Sequence, residues 1–281
     1  MSVVDPWRLS RPGGGALRGL VDLPEAPGRC PAVAICHGFK GFMEWGFFPA
    51  LALLLAQRGI VAVRFNFSGA GMEPGDERVT DPRAFRDDTY SAELADLLQV
   101  LAAMGEEIAP DRIDSTRIGL LGHSRGGAVA ILAAAGERWR ERLRALVTWA
   151  AISHVDRYTP EEKKTWREIG ELPVVNSRTG QRLALGRGLL EDVESHAAGS
   201  LDVLAAAGRR AAPWLIVHGA DDESVPAAEA TELAGRAAGA HELLLIPGAG
   251  HTFGVQHPFA GPTPFLIQAL NATQTWFRRY L

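Results

Sequence analysis

Short, unbroken apolar runs separated by amphipathic stretches set the rhythm of this chain. Ala32 to Cys36, Ile60 to Phe65, Arg117 to Leu121, Arg144 to Ala151, Trp214 to His218 and Glu242 to Ile246 have the length of strands. Runs of this kind, apolar at successive positions, mark strands covered on both faces of a sheet. Between them the period changes to that of a helix. Residues 46–58 are almost continuously apolar and stop at Gly59, a residue suited to ending a helix. Asp87 to Met104 places Leu94, Leu97, Leu98 and Leu101 at helical spacing, with acidic residues near its start. Ala227 to Ala238 and Pro264 to Leu281 predict two further helices, the last carrying Phe265, Leu266, Leu270, Trp276 and Phe277. At the start of the chain, Trp7 to Leu9 and Ala16 to Leu23 flank Pro12-Gly13-Gly14-Gly15 and predict a hairpin.

This alternation predicts an α/β fold with a doubly wound, mostly parallel sheet and an antiparallel N-terminal edge. One region breaks the rhythm. Val155 to Arg210 contains no run that predicts a buried strand, only a polar helix from Pro160 to Gly170, a turn at Asn176-Ser177-Arg178-Thr179-Gly180 and a helix around Leu189 to His196. Its apolar content is too low for a separate core. We therefore expect a single domain over 1–281, with a short cap insertion at about 155–210 over the carboxyl edge of the sheet.

Composition narrows the function. The chain has 281 residues, 47% hydrophobic and 22% charged, in the range of ordinary globular proteins. A net charge of -4 without a basic cluster gives no footprint for nucleic acid or an anionic membrane. No segment approaches the roughly 18 consecutive apolar residues of a membrane span. Met1 to Ser10 lacks the charged-then-apolar order of a signal peptide, so the expected location is cytoplasmic. Cys30 and Cys36 are too few for a disulfide framework and lack metal-ligand spacing. Neither metal nor cofactor is expected, and the expected assembly is a monomer or homodimer.

The candidate chemistry centres on Gly122-His123-Ser124-Arg125-Gly126, which follows an apolar run and precedes a run of small residues from Ala128 to Ala135. This is the sequence form of a sharp strand-to-helix turn that lifts a serine hydroxyl clear of the sheet. The glycines serve close approach of strand and helix, and the helix start places main-chain N–H groups where an oxyanion would form. Serine needs a base, and the base needs an orienting carboxylate. The loop after the strand at 214–218 carries Asp221, Asp222 and Glu223, and the loop after 242–246 carries Gly250-His251. The chain order is serine, acid, histidine. His257 is a rival base outside a tight glycine loop. Asn66 to Gly71 lacks both the Gly-x-Gly-x-x-Gly pattern and a Walker lysine, so a phosphate cradle is not expected.

These residues, together with His37-Gly38-Phe39 and His218-Gly219-x-x-Asp222-x-x-Val225-Pro226, resemble the α/β-hydrolase superfamily over nearly the whole chain. The stretch His37 to Phe42, Arg64 to Gly71 and the insert with Asn176 to Gly180 resemble its dienelactone-hydrolase and cinnamoyl- or feruloyl-esterase-like branch. Dienelactone hydrolases carry cysteine where this chain has Ser124, which turns the expectation toward ordinary carboxylic esters. The resemblance implies a triad of Ser124, Asp222 and His251, with Asp221 the rival acid and Glu223 solvated. It also implies an oxyanion hole formed by the N–H groups of Phe39 and Arg125. Arg125 needs only its main chain there, leaving its side chain for substrate, for an acidic loop residue or for a structural role.

The expected function is a serine carboxylesterase acting on a small-molecule ester, short- to medium-chain or aromatic, through an acyl-enzyme. Thioester hydrolysis or acyl transfer on the same triad is the alternative, with a silent binding module behind it. Trp45 could line the acyl cleft, and Trp166 is expected to face substrate from the cap. Lys40 reads as a surface cation. His37 and His218 read as structural, and His123 as pointing away from the nucleophile.

Overall fold

The computed structural model describes residues 3–12 and 14–281; Gly13, in the predicted first turn, and Met1 and Ser2 lie outside the described residues. The sheet is centred on β3 (Cys30–Cys36), β5 (Ile113–His123), β6 (Leu143–Trp149) and β9 (Trp214–Gly219). With β1 (Val3–Ser10), β2 (Ala16–Leu23), β4 (Val61–Asn66) and β10 (His241–Ile246) it has eight strands in the order β1-β2-β4-β3-β5-β6-β9-β10. From β4 to β10 every neighbouring pair is parallel; β1 and β2 run antiparallel at the N-terminal edge.

The two-sided burial of the inner strands follows from their sequence, whereas β10, expected to be buried, is the edge strand opposite β1 and buries only Ile246. In β3, Ala32, Ala34 and Cys36 face one core, while Val33 and Ile35 face the other. The first core is covered by α3 (Tyr90–Ala103), α4 (Arg125–Ala135), α7 (Val203–Ala207) and α8 (Ala227–Arg236). The second is covered by α1 (Phe48–Gln57) and α9 (Pro264–Tyr280), whose Leu51, Leu55, Trp276 and Phe277 pack against it. Three pairs of buried polar side chains tie strand to strand or strand to helix. Arg64 on β4 makes a two-pronged bond to Asp22 on β2, at 2.8 and 3.1 Å. The indoles of Trp149 and Trp214 donate to Thr273 and Thr148, each at 2.9 Å.

A short α-helix falls between the predicted strand at 60–65 and the predicted helix at 87–104, where no element is expected. Asp81 caps α2 (Pro82–Arg86) by accepting from the N–H groups of Arg83 and Ala84. The cap also differs from expectation. Its first helix, α5 (Pro160–Ile169), is closed by the reciprocal Thr159–Glu162 capping box and ended by Gly170 at φ 88°. Between α5 and α6 (Arg187–His196), the predicted turn is the tip of an antiparallel hairpin, β7 (Glu171–Val175) and β8 (Arg182–Gly186). Its strands are five residues each, and only Leu183, Leu185 and Gly186 are buried, all on β8, so no continuous apolar run announces it. A lone two-stranded hairpin is marginal in water, and this one is held by packing. Leu183 and Leu185, with Trp166, Leu189 and Val193, join the first core rather than forming one of their own.

Candidate active site

The serine, acid and base read from the sequence each lie just beyond the carboxyl end of a parallel strand, where open α/β sheets gather their ligands. β5 ends at His123, and Ser124 follows at φ 56°, ψ −122°, a strained conformation for a residue with a side chain. Its N–H donates to Trp149 O at 2.8 Å, tying the turn to the neighbouring strand. The glycines are required by contact. A Cβ on Gly122 would stand 2.2 Å from Gly126 O, and one on Gly126 would stand 2.2 Å from His37 O. α4 starts at Arg125, so the Arg125 N–H has no intrahelical acceptor. The Phe39 N–H likewise enters no main-chain hydrogen bond among the described residues. Both amides belong to residues on the walls of the clefts that contain Ser124.

His251 and Asp222 complete a hydrogen-bonded chain. Ser124 Oγ donates to His251 Nε2 at 3.1 Å, and His251 Nδ1 donates to Asp222 Oδ2 at 2.8 Å. The other carboxylate oxygen accepts the N–H groups of Ser224 and Val225, both at 2.9 Å. Burial pulls the Asp222 carboxyl upward, but the bonds from His218, His251 and Val225 outweigh it and hold it well below the usual range. Asp221 and Glu223, the neighbours that spacing could not separate from it, are both exposed.

The other histidines are occupied. His257 accepts from Gly46 N–H at Nδ1 (2.9 Å) and donates from Nε2 to Glu77 (2.6 Å), which leaves it no free lone pair for a serine proton. His37 bridges Gly38 O and Phe67 N–H, and burial pushes it down to about 4. His218 donates to Val225 O at 2.8 Å from a fully buried ring. His123 corrects the sequence reading. Instead of pointing away, it lines the cleft, donates to His251 O at 3.1 Å and lies 4.8 Å from the His251 ring, centroid to centroid. Burial, with the nearby His251, pushes it down to about 3, so it supports His251 as a neutral ring.

The Arg125 side chain takes the structural role. Its guanidinium is buried, donating to Glu93 and Asp88 at 2.9 Å each and lying 4.2 Å from the centre of the Tyr90 ring. Burial pushes both carboxyls up against the pull of Arg125, most of all Glu93, which also faces the Asp88 charge. Arg125→Met should therefore cost about 3–5 kcal/mol, because two buried carboxylates lose their counter-ion. Urea denaturation measures this. A loss below about 1 kcal/mol would show that the pair simply takes up protons.

Two clefts meet at the serine. The first, about 530 Å³, runs past Trp45, His257 and Arg178; the second, about 470 Å³, runs under the cap past Tyr90, Tyr158 and Leu185. Ser124, His251, Phe39 and Lys40 belong to both. Trp45 stands on the wall of the first, stacked on His257 at 6.4 Å and 25°. Trp166 does not face substrate. Its ring is 0% exposed, packed edge-on against Tyr158 inside the core under the cap, and Tyr158 stands on the cleft wall instead. Lys40 is not a free surface cation either: it reaches across to Val175 O on β7 at 2.8 Å. The wall residues Tyr90 and Tyr158 carry no sequence motif, and Arg178 is marked in the sequence only as part of a turn; the alignment of cap and sheet brings them to the cleft. Among the described residues no group of three or more His, Cys, Asp or Glu side chains is placed to hold a metal ion. No described helix is long and apolar enough to cross a membrane.

A family model described as "Alpha/beta hydrolase family" matches residues 33–261. A 2,6-dihydropseudooxynicotine hydrolase from Paenarthrobacter nicotinovorans is 28% identical over 206 residues, 72% of this chain and 47% of that protein. The chain spans about half the length of the curated relatives it matches, 47% and 52%. Among solved structures, Est1E from Butyrivibrio proteoclasticus with ferulic acid bound superposes with TM-score 0.72 at 23% identity, covering 94% of this chain and 95% of that one. A putative hydrolase from Agrobacterium vitis S4 superposes with TM-score 0.76 at 20% identity, covering 99% of each chain. At these identities the structural matches speak for the fold.

Proposed function

The chain belongs to the alpha/beta hydrolase family, and from that premise we propose that it is a serine hydrolase of carboxylic esters. One observation carries the reading: the chain Ser124 Oγ to His251 Nε2 (3.1 Å) to Asp222 Oδ2 (2.8 Å from Nδ1), set where two clefts meet. With its Nδ1–H given to the carboxylate, His251 presents a lone pair at Nε2 to the serine hydroxyl. Ser124 attacks the acyl carbon while His251 takes its proton. The N–H groups of Phe39 and Arg125 receive the oxyanion. His251 then delivers the proton to the leaving alcohol, and the acyl-enzyme is hydrolysed by water activated at the same nitrogen. Asp222 stays ionised and stabilises the imidazolium. The two clefts suit the two halves of an ester, one for the acyl part and one for the alcohol.

The test is a set of initial rates on p-nitrophenyl esters from acetate to palmitate, with methyl ferulate added because Est1E binds ferulic acid, and acyl thioesters alongside. Saturable hydrolysis of short esters or of the ferulate is the expected result. Turnover of thioesters alone would move the reading to thioester hydrolysis. No turnover at all by the folded protein would overturn it.

A further inference from the structure

Lys40 has no role in the proton transfers above, yet it occupies an unusual place. It follows Phe39 directly and belongs to the walls of both clefts. It is half-buried, and its backbone sits at φ 59°, the left-handed region that a lysine adopts only at a cost. Its ammonium has three donors. One goes to Val175 O at 2.8 Å; besides that, the ammonium lies 5.1 Å from the centre of the Phe39 ring, and among the described residues no carboxylate pairs with it.

The other cations around the serine are paired. Arg125 holds Asp88 and Glu93, and Arg157 holds Glu229 at 2.8 Å. Arg178 donates to Glu77 O, and its Nη1 lies 3.8 Å from the Glu77 carboxylate, which already accepts from His257. The wall of the first cleft thus carries Lys40 and Arg178 and no aspartate or glutamate. On the wall of the second, Glu162 is engaged in the α5 capping box. A half-desolvated ammonium with unused donors gains most from an anion, because screening by water is weak there.

We propose that this site takes esters carrying a carboxylate, held in the first cleft by Lys40 with Arg178 behind it. The proposal rests on the ester reading above and adds the charge of the substrate. Lys40 immediately follows an oxyanion-hole residue, so the carboxylate would lie a few bonds from the scissile carbonyl. The donors left on Lys40 would bind it directly. A neutral ester of the same shape would leave them unfilled.

The experiment compares kcat/KM within two matched pairs. Monomethyl and dimethyl glutarate differ by a charge on the acyl side; O-acetylglycolate and its methyl ester differ by a charge on the alcohol side. The wild-type protein should prefer the charged member of at least one pair by about tenfold or more, chiefly through KM, with the preference shrinking as salt rises. Lys40→Met should collapse that ratio toward one, and Lys40→Arg should restore part of it. A lysine that merely tethers the cap at Val175 would lower both members equally and leave the ratio intact. Preference for the neutral member in both pairs, or a ratio unchanged by Lys40→Met, overturns the proposal. Neutral p-nitrophenyl esters run alongside: their turnover without any charge preference overturns this inference alone. Failure of every ester overturns the ester reading and this inference with it.

Discussion

Ser124→Ala should yield a folded protein whose ester turnover falls by roughly 10⁴- to 10⁶-fold, because the covalent route is lost while the oxyanion donors and the clefts remain. Folding should survive because the Ser124 side chain makes one hydrogen bond, to His251, while its main chain makes the contacts that shape the turn. The strained φ of 56° is imposed by the surrounding glycines and by Trp149 O, and alanine meets the same strain as serine. Matched denaturation curves with absent turnover are the expected pair of results. Turnover retained within about tenfold would remove Ser124 from the mechanism.

Asp222→Asn should cost about 10⁴-fold in kcat, and Asp221→Asn less than about threefold. The amide oxygen introduced by Asp222→Asn could still accept the N–H groups of Ser224 and Val225, so the loop should keep its shape. What is lost is the negative charge facing His251 Nδ1, which both selects the tautomer and stabilises the imidazolium. Asp221 is exposed, and only its main-chain N–H, donated to Ala249 O, matters to the loop. Sign matters for the pH dependence. Because the Asp222 carboxyl is held below its ordinary value of 3.8, its contribution is complete above that value and fades only as pH falls through the lower, folded one. Activity lost between about pH 7 and pH 5 therefore does not come from Asp222. A larger loss in Asp221→Asn than in Asp222→Asn would reassign the acid.

Much of this was legible in the sequence because it is encoded locally. Apolar runs, all but that of β6 bounded by glycine or proline on at least one side, locate β3, β4, β5, β6, β9 and β10 to within a few residues. The Gly-x-Ser-x-Gly turn is legible for the same reason: the close approach that forbids a Cβ at Gly122 and Gly126 is a property of five consecutive residues. The hairpin β7–β8 was not legible. Its stability comes from packing on the first core, and its five-residue strands carry too few buried positions to show a period. Trp166 failed for a related reason, since an aromatic residue in an insert can face the cleft or the core and only the docking of α5 chooses.

Local sequence was enough for the succession of parallel strands and the main helices that cover them, for the turn that carries Ser124, and for the loops from which an acid and a base would come. Folding in three dimensions was needed to choose which carboxylate meets His251 and to set His123 beside it. It also spends Arg125 on Asp88 and Glu93 and leaves Lys40 without a carboxylate. The difference is one of range. Burial period and turn chemistry act over a few residues. A partner 29 or 127 positions away is chosen by how whole strands register and how loops then pack.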